Sequence, residues 1–436
     1  MGRFFLTSRG SWGDINPFLG LGCELQQRGH EVTLISNEFH RACAERLGFD
    51  FVPYATVSKY MEEQEANRDL GRPKAPPQSI SHAERLHRWH FPELRATYAA
   101  LAERADPRDS VVVARSWTLA GRLAQERLGI PLATVYISPP ESTRLWVGVP
   151  LLLNRPPPSR WIYDKLCAPR IDEHFDQLYA FINTFRAEIG LGPVQHIQSS
   201  WFESPQLSLG LWPDWFYPRM AHWSPRMRLP GFVLHETRVD DPLPPDVESF
   251  LAAGEPPVVF AAGTFRSGGA EAYFSTSIEI CRRLGRRGIL LSESRAQVPS
   301  VLPDSIATFS YVPMHQLLPR CAALVHHGGI GTAARALQAG LPQFLVTLRF
   351  FDQPINAVRL IKLGVADAVH DEDYRADTVA PRLQKLLTHP RVRKACAAQA
   401  RRMAGPDASG AACDALEELL ADRSRSGPVP LQRAAS

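Results

Sequence analysis

Nothing in this chain is spaced to hold a metal or a framework of disulfides. Its seven cysteines are scattered, with no Cys-x-x-Cys, no paired Cys/His spacing and an odd total. That pattern argues against a zinc site and a secreted disulfide scaffold, and it fits a reducing cytoplasm. No Asp-x-Asp cluster stands where it would bind a diphosphate through Mg²⁺. The run Val239-Asp240-Asp241 lies in a proline-rich turn and reads as solvated, so neither a metal nor a bound cofactor is expected. Long apolar runs are missing too. No window approaches the roughly 18 apolar residues that a membrane span requires. The opening "MGRFFLTSRGSWGD" turns polar too soon for a signal peptide. Peripheral contact with a membrane stays open. Charge of one sign is also lacking: 49 basic against 45 acidic residues leave a net +4. A nucleic-acid surface would want clustered cations and aromatics. The stretch "RVRKACAAQARR" (391–402) reads as the solvated face of a helix.

What is present is a strand–helix–strand rhythm, twice over. At 436 residues the chain exceeds one typical core, and its 44% hydrophobic content supplies two. "RFFLT" (3–7), "EVTLIS" (31–36), "SVVVAR" (110–115) and "PLATVY" (131–136) read as buried strands. Helix patterns at 16–30 and 118–129 alternate with them, the first with Pro17 near its start. Strand, helix, strand in this order means a parallel sheet with right-handed crossovers. A segment with five prolines (240–257) interrupts the rhythm, which then restarts with strands at 258–263, 288–293, 306–310, 322–326 and 342–346. The expected division is 1–238, a linker at 239–257, and 258–422, with the last helix free to pack back on the first domain. The tail 423–436 reads as disordered. Between about 140 and 235 lie six of the nine tryptophans. They either pack irregular chain against the first sheet or line a lipophilic acceptor pocket.

The stretch "AALVHHGGIGTAARALQAGLPQF" (322–344) carries the chemistry. Parallel sheets bind ligands at the carboxyl ends of their strands, where helix N-termini offer unpaired N–H groups and a positive dipole end to an anion. Gly328, Gly329 and Gly331 remove side chains so that a diphosphate can approach, and Thr332 can cap the helix or donate a hydroxyl. A histidine at the strand end can donate to a phosphate oxygen. "GIGTAA" (329–334) also fits G-x-G-x-x-A, with Asp352 about twenty residues on, as in NAD enzymes. That fingerprint belongs on the first strand of a domain, however. Here it follows the fourth strand of the second, and it has no use for a histidine.

From Tyr311 to Ala366 the chain resembles the donor-binding segment of family 1 glycosyltransferases, enzymes of the GT-B fold. The matching features run in order: an aromatic, Pro313, His326, Gly328, Gly331-Thr332, "GLP" (340–342), Asp352-Gln353 and Asn356. The resemblance implies an α/β architecture of two Rossmann-like domains facing across a cleft, the first binding acceptor and the second a nucleotide sugar. It assigns the diphosphate to His326, Gly328, Gly331 and Thr332, with Gly263 and Thr264 from the loop "AGTF", and leaves His327 structural. Asp352 and Gln353 fall to the sugar hydroxyls, and Tyr311 and Val312 to the nucleobase. Trp12, Trp117 and Trp146 are candidates for the acceptor pocket.

"SRGSWGDINPFLGLG" (8–22) resembles the family's first loop, where many members carry Gly-His-x-x-Pro with the histidine as general base. Asp14 occupies that place and is the candidate base. Otherwise it serves only to order the turn before the helix. Members with the histidine use a second acid after the strand near 110–114. This chain reads Arg115-Ser116 there, which leaves Asp14 with no evident orienting partner. Over nearly its whole length the chain is most similar to the rhamnosyltransferases of rhamnolipid synthesis. That resemblance implies a metal-independent, inverting transfer from dTDP-rhamnose or a UDP-sugar to a hydroxy fatty acid or another lipophilic alcohol. A nucleotide-sugar epimerase and a dinucleotide oxidoreductase are the readings from other classes. An epimerase would need acids for elimination chemistry, and an oxidoreductase would bind NAD.

Overall fold

The computed structural model describes residues 1–67, 82–139, 173, 175–177, 179–220, 223–236, 241–263, 270–292, 294–348 and 352–425. Two compact units emerge, one built on 1–63, 80–233 and the segment from 407, the other on 64–79 and 234–406. Thr264, Trp146 and the tail from 426 onward lie outside the described residues.

The first unit holds a sheet of seven strands in the order β3-β2-β1-β4-β5-β6-β7. The strands are β1 (Arg3–Thr7), β2 (Glu31–Asn37), β3 (Asp50–Ala55), β4 (Ser110–Arg115), β5 (Leu132–Tyr136), β6 (Leu207–Gly210) and β7 (Met227–Arg228). Every pairing in it is parallel. Because successive strand residues point to opposite faces, Phe4 and Leu6 enter one core while Phe5 enters the other. Both faces are covered, so the strands read as continuous apolar runs.

α1 (Trp12–Gln27) starts one turn earlier than its sequence pattern suggests, and Pro17 lies inside it. A proline there has no N–H for the carbonyl one turn back. The helix Ala408–Arg425 closes this unit, sending Ala412, Cys413, Leu416 and Leu419 into the core against α1. Arg28 fastens it by ion pairs to Asp414 and Glu417, each at 2.6 Å. Residues 423–425, read from sequence as the start of the tail, are the last of this helix.

The second unit repeats the design with β10-β9-β8-β11-β12-β13. These strands are β8 (Val258–Ala261), β9 (Gly288–Leu291), β10 (Ile306–Phe309), β11 (Ala323–His326), β12 (Gln343–Thr347) and β13 (Ala366–His370), again all parallel. Within the segment read as linker, the helix Pro245–Ala252 buries Val247 and Leu251 against Val259 and Ile289, so it is part of this core.

Strand order decides where ligands go. In the first sheet the chain runs outward from β1 through β2 to β3 on one side, and from β4 through β5 on the other. The loops after β1 and β4 therefore diverge and leave a crevice at the carboxyl edge. In the second sheet the same switch falls between β8 and β11. The two candidate segments sit at these two points.

Candidate functional site

At the first switch point, β1 and β4 pair in register, Thr7 beside Ala114. The loop after β1 turns sharply at Gly10, whose φ is +111°. A Cβ there would stand 2.2 Å from Asp14 Oδ2, so both conformation and space require glycine. Ser11 caps α1 and Asp14 is its third helical residue. Asp14 Oδ2 accepts the Ser11 N–H at 2.7 Å and the Ser11 hydroxyl at 3.1 Å, an arrangement that satisfies orphan donors at a helix start. Its other oxygen, Oδ1, is 2.9 Å from Arg115 Nη2, and the two side chains are only 19% and 14% exposed.

Asp14 thus has an orienting partner, of opposite sign to the acid that the sequence lacked. The strand ends are tied further by Thr118, whose hydroxyl reaches the Thr7 carbonyl at 3.1 Å and the Arg115 carbonyl at 2.8 Å. Just behind lies a buried group: Arg9, paired with Glu63, and Glu93, 3% exposed. Burial lifts the Glu93 carboxyl to about 7, with Arg9 opposing. No sequence pattern marked it, because α/β spacing does not bring 9, 63 and 93 together on paper.

At the second switch point the histidines divide as strand alternation requires. His326, the last residue of β11, is fully buried. Its Nδ1 accepts the Gly328 N–H at 3.2 Å, so Nε2 carries the proton and donates to Gln343 Oε1 at 3.0 Å. Burial, reinforced by His327, pushes it down to about 3, so it is neutral. Both ring nitrogens are thus hydrogen-bonded within the protein. His327 is the ring at the edge. A Cβ on Gly263 would fall 2.4 Å from its Nδ1, and one on Gly329 2.5 Å from its Nε2. Those two glycines therefore make room for the imidazole.

α2 (Ile330–Gln338) begins at Gly329 with no side-chain cap. Thr332 is its third residue, so it does not cap the helix. Gly331 is exposed, and a Cβ there would meet nothing within 4 Å. The first turn thus presents bare N–H groups and a positive dipole end.

Asp352 and Gln353 open α3 (Gln353–Lys362). Gln353 is 3% exposed and its Oε1 accepts the Leu348 N–H at 2.9 Å, so that oxygen is already committed. Asp352 is half-buried and takes a 2.8 Å hydrogen bond from Asn356 Nδ2, which also donates to the Gly328 carbonyl at 2.9 Å. Asn356 was visible in the motif, but its function as the brace between α3 and the glycine turn was not.

The nucleobase candidates separate: Tyr311 is 39% exposed, whereas Val312 is packed in the core at 3%. Trp12 lies against Phe39 and His40, and Trp117 against Phe175, Tyr179 and Phe202. Among the other tryptophans, Trp201, Trp212 and Trp223 are buried, so packing accounts for them. No described helix is long and apolar enough to cross a membrane.

Residues 288–419 match the family model for the erythromycin biosynthesis protein CIII-like C-terminal domain. Over 383 residues the chain is 31% identical to the glycosyltransferase GtfE of Amycolatopsis orientalis, covering 85% of this chain and 86% of that one. It is 30% identical over 384 residues to the O-mycaminosyltylonolide 6-deoxyallosyltransferase of Streptomyces fradiae, covering 84% of each. The crystal structure of the glycosyltransferase VinC in complex with dTDP superposes with a TM-score of 0.69. It is 19% identical, and the superposition covers 97% of this chain and all of VinC.

Proposed function

This chain belongs to the family 1 glycosyltransferases of the GT-B fold, and we propose that it moves a hexose or 6-deoxyhexose from a nucleoside-diphosphate sugar to a hydroxyl of a lipophilic acceptor. The observation that carries the reading is the bare amino end of α2, with open Gly331 and the edge ring of His327 beside it. Such a cradle suits a diphosphate, through N–H donors and the helix dipole. It offsets charge that grows as the diphosphate leaves, without calling on a divalent cation.

In the step itself the acceptor oxygen attacks the anomeric carbon from the face opposite the diphosphate. The bond from that carbon to the diphosphate oxygen breaks, and its electron pair leaves with the nucleoside diphosphate. The hydroxyl proton passes to Asp14 Oδ1, and configuration inverts. In this reading Asp352, at the half-sheltered entrance to α3, serves the sugar hydroxyls, and Tyr311 the base.

The relative from S. fradiae is named for transfer of a 6-deoxyhexose to a tylonolide, and VinC was crystallised with dTDP. These favour a dTDP-6-deoxyhexose and a hydroxylated macrolactone. A hydroxy fatty acid dimer, as in rhamnolipid synthesis, comes second, and a UDP-glucose-dependent transfer to a sterol third. The test is calorimetric titration with dTDP, UDP and NAD, followed by a turnover matrix. The matrix sets dTDP-rhamnose, dTDP-glucose and UDP-glucose against a macrolactone, a 3-hydroxyacyl dimer and a sterol. Binding of dTDP or UDP with acceptor-dependent release of nucleoside diphosphate is expected. Binding of NAD with neither nucleoside diphosphate would overturn the assignment of the α2 cradle.

A further inference from the structure

We propose that Arg115 is a positioning residue for the transfer, holding the Asp14 carboxylate in one orientation so that Oδ1 receives the acceptor's proton. The inference rests on the reading of Asp14 as the base, and it goes beyond that reading by saying how a carboxylate at a helix start can serve as one.

The argument begins with the count of lone pairs. An ionised carboxylate offers about four hydrogen-bond sites, two on each oxygen. Oδ2 has both of its own engaged, by the Ser11 N–H and the Ser11 hydroxyl. Oδ1 forms the ion pair with Arg115 Nη2 at 2.9 Å. An incoming hydroxyl therefore binds on Oδ1, the oxygen that the guanidinium also holds.

The guanidinium is itself held. Arg115 ends β4, one residue past the Thr7–Ala114 register with β1. Its Nη1 lies 3.4 Å from the Arg9 carbonyl on the loop after β1, and its own carbonyl accepts the Thr118 hydroxyl. Arg115 thus bridges the two loops that diverge at the switch point, where a parallel sheet opens toward ligand. A planar fork anchored on both sides positions a carboxylate better than a flexible ammonium does.

The chemistry follows from charge. Arginine stays protonated at any working pH, so it does not take the proton itself. Its fixed charge and planar fork hold the carboxylate in one orientation, so the proton meets Oδ1 in a set geometry, and departure of the diphosphate supplies the drive for the transfer.

The experiment uses the full chain and the donor–acceptor pair that turns over in the matrix above, with Arg115→Ala, Arg115→Lys and Asp14→Asn. Arg115→Ala is expected to lower kcat roughly 10–100-fold, the range of a misplaced acid–base group. Its Kd for dTDP and the KM for donor should stay within about twofold of wild type, since the donor cradle is untouched. Guanidinium chloride at sub-denaturing concentration should restore part of the loss in Arg115→Ala, and Arg115→Lys should retain more activity than Arg115→Ala. If Arg115→Ala keeps kcat within about twofold while Asp14→Asn is inactive, the base stands and the positioning role falls. If Arg115→Ala is slow, ignores guanidinium, is matched by Arg115→Lys and melts lower, Arg115 is only a structural tie. If Asp14→Asn transfers near-normally, the base reading itself fails, whatever Arg115 does.

Discussion

Replacing the two adjacent histidines one at a time separates a packing residue from the one proposed to face the diphosphate. His326→Ala removes a fully buried ring that satisfies two buried groups, the Gly328 N–H and Gln343 Oε1. Each orphaned group costs about 1–3 kcal/mol, and the cavity left by the ring adds to that. A total of about 3–6 kcal/mol is a large share of the 5–15 kcal/mol that holds an ordinary domain together. At about 2–4 °C per kcal/mol for a unit of this size, the melting transition should fall by roughly 6–24 °C. His327→Ala should do the opposite. Its half-buried ring lies between Gly263 and Gly329, and its loss should leave the transition within a few degrees. The affinity for dTDP or UDP should weaken about 10–100-fold, the worth of one hydrogen bond to a charged group. Thermal unfolding and calorimetric titration on the same preparations read both effects. A His326→Ala protein that melts normally but no longer binds nucleoside diphosphate would refute the reasoning, as would a His327→Ala protein that binds like wild type.

Gly10→Ala places a Cβ 2.2 Å from Asp14 Oδ2 at a φ of +111°, so it should displace the carboxylate and lower kcat by at least tenfold while the Kd for dTDP holds. This is about the penalty of a displaced catalytic group, and steady-state kinetics with titration check it. Adding EDTA to the working donor–acceptor assay should leave the rate within about twofold, because N–H donors do the work of a cation; a collapse restored by Mg²⁺ would refute that. Stability should respond to pH in two windows. His326 is held at about 3 against a usual 6.5, so unfolding takes up a proton between those values. The stability from its neutral burial is complete above pH 6.5 and is lost as pH falls toward 3. Glu93 is raised to about 7 from 4.5 by burial, so its native form binds the extra proton. Its contribution is greatest below pH 4.5 and is lost as pH rises through 7. Glu93→Gln should therefore gain stability relative to wild type between pH 5 and 8, up to about 3 kcal/mol by linkage, measured by urea unfolding across that range.

Much of the architecture was legible because strands buried on both faces advertise themselves. "RFFLT" and "SVVVAR" admit no alternation, and each fell where its apolar run placed it, while the strand read over 258–263 ends at Ala261. The start of α1 was less legible. Pro17 suggested a first turn, yet the Ser11–Asp14 cap sets the start four residues earlier than the pattern at 16 and the helix tolerates the proline. The tryptophans of the middle region could not be divided from composition alone, since aromatic packing and aromatic ligand binding draw on the same residues. Trp201, Trp212 and Trp223 proved to be core.

The sequence by itself determined the class of fold, the two positions where glycines and short polar residues follow a buried strand, and the candidate residues at each. Those are local properties, set by periodicity, by turn chemistry and by the bare N–H groups of a helix start. What each candidate does was decided only in three dimensions. Alternation at the end of β11 sends one histidine into the core and the next to the edge, but what each ring meets there depends on Gln343, Gly263 and Gly329, brought in from other strands and loops. Asp14 acquires Arg115 because β1 and β4 are neighbours in space across a hundred residues of chain. Pairing of charges and burial of rings are set by distances between segments, and those distances do not exist until the sheet has formed.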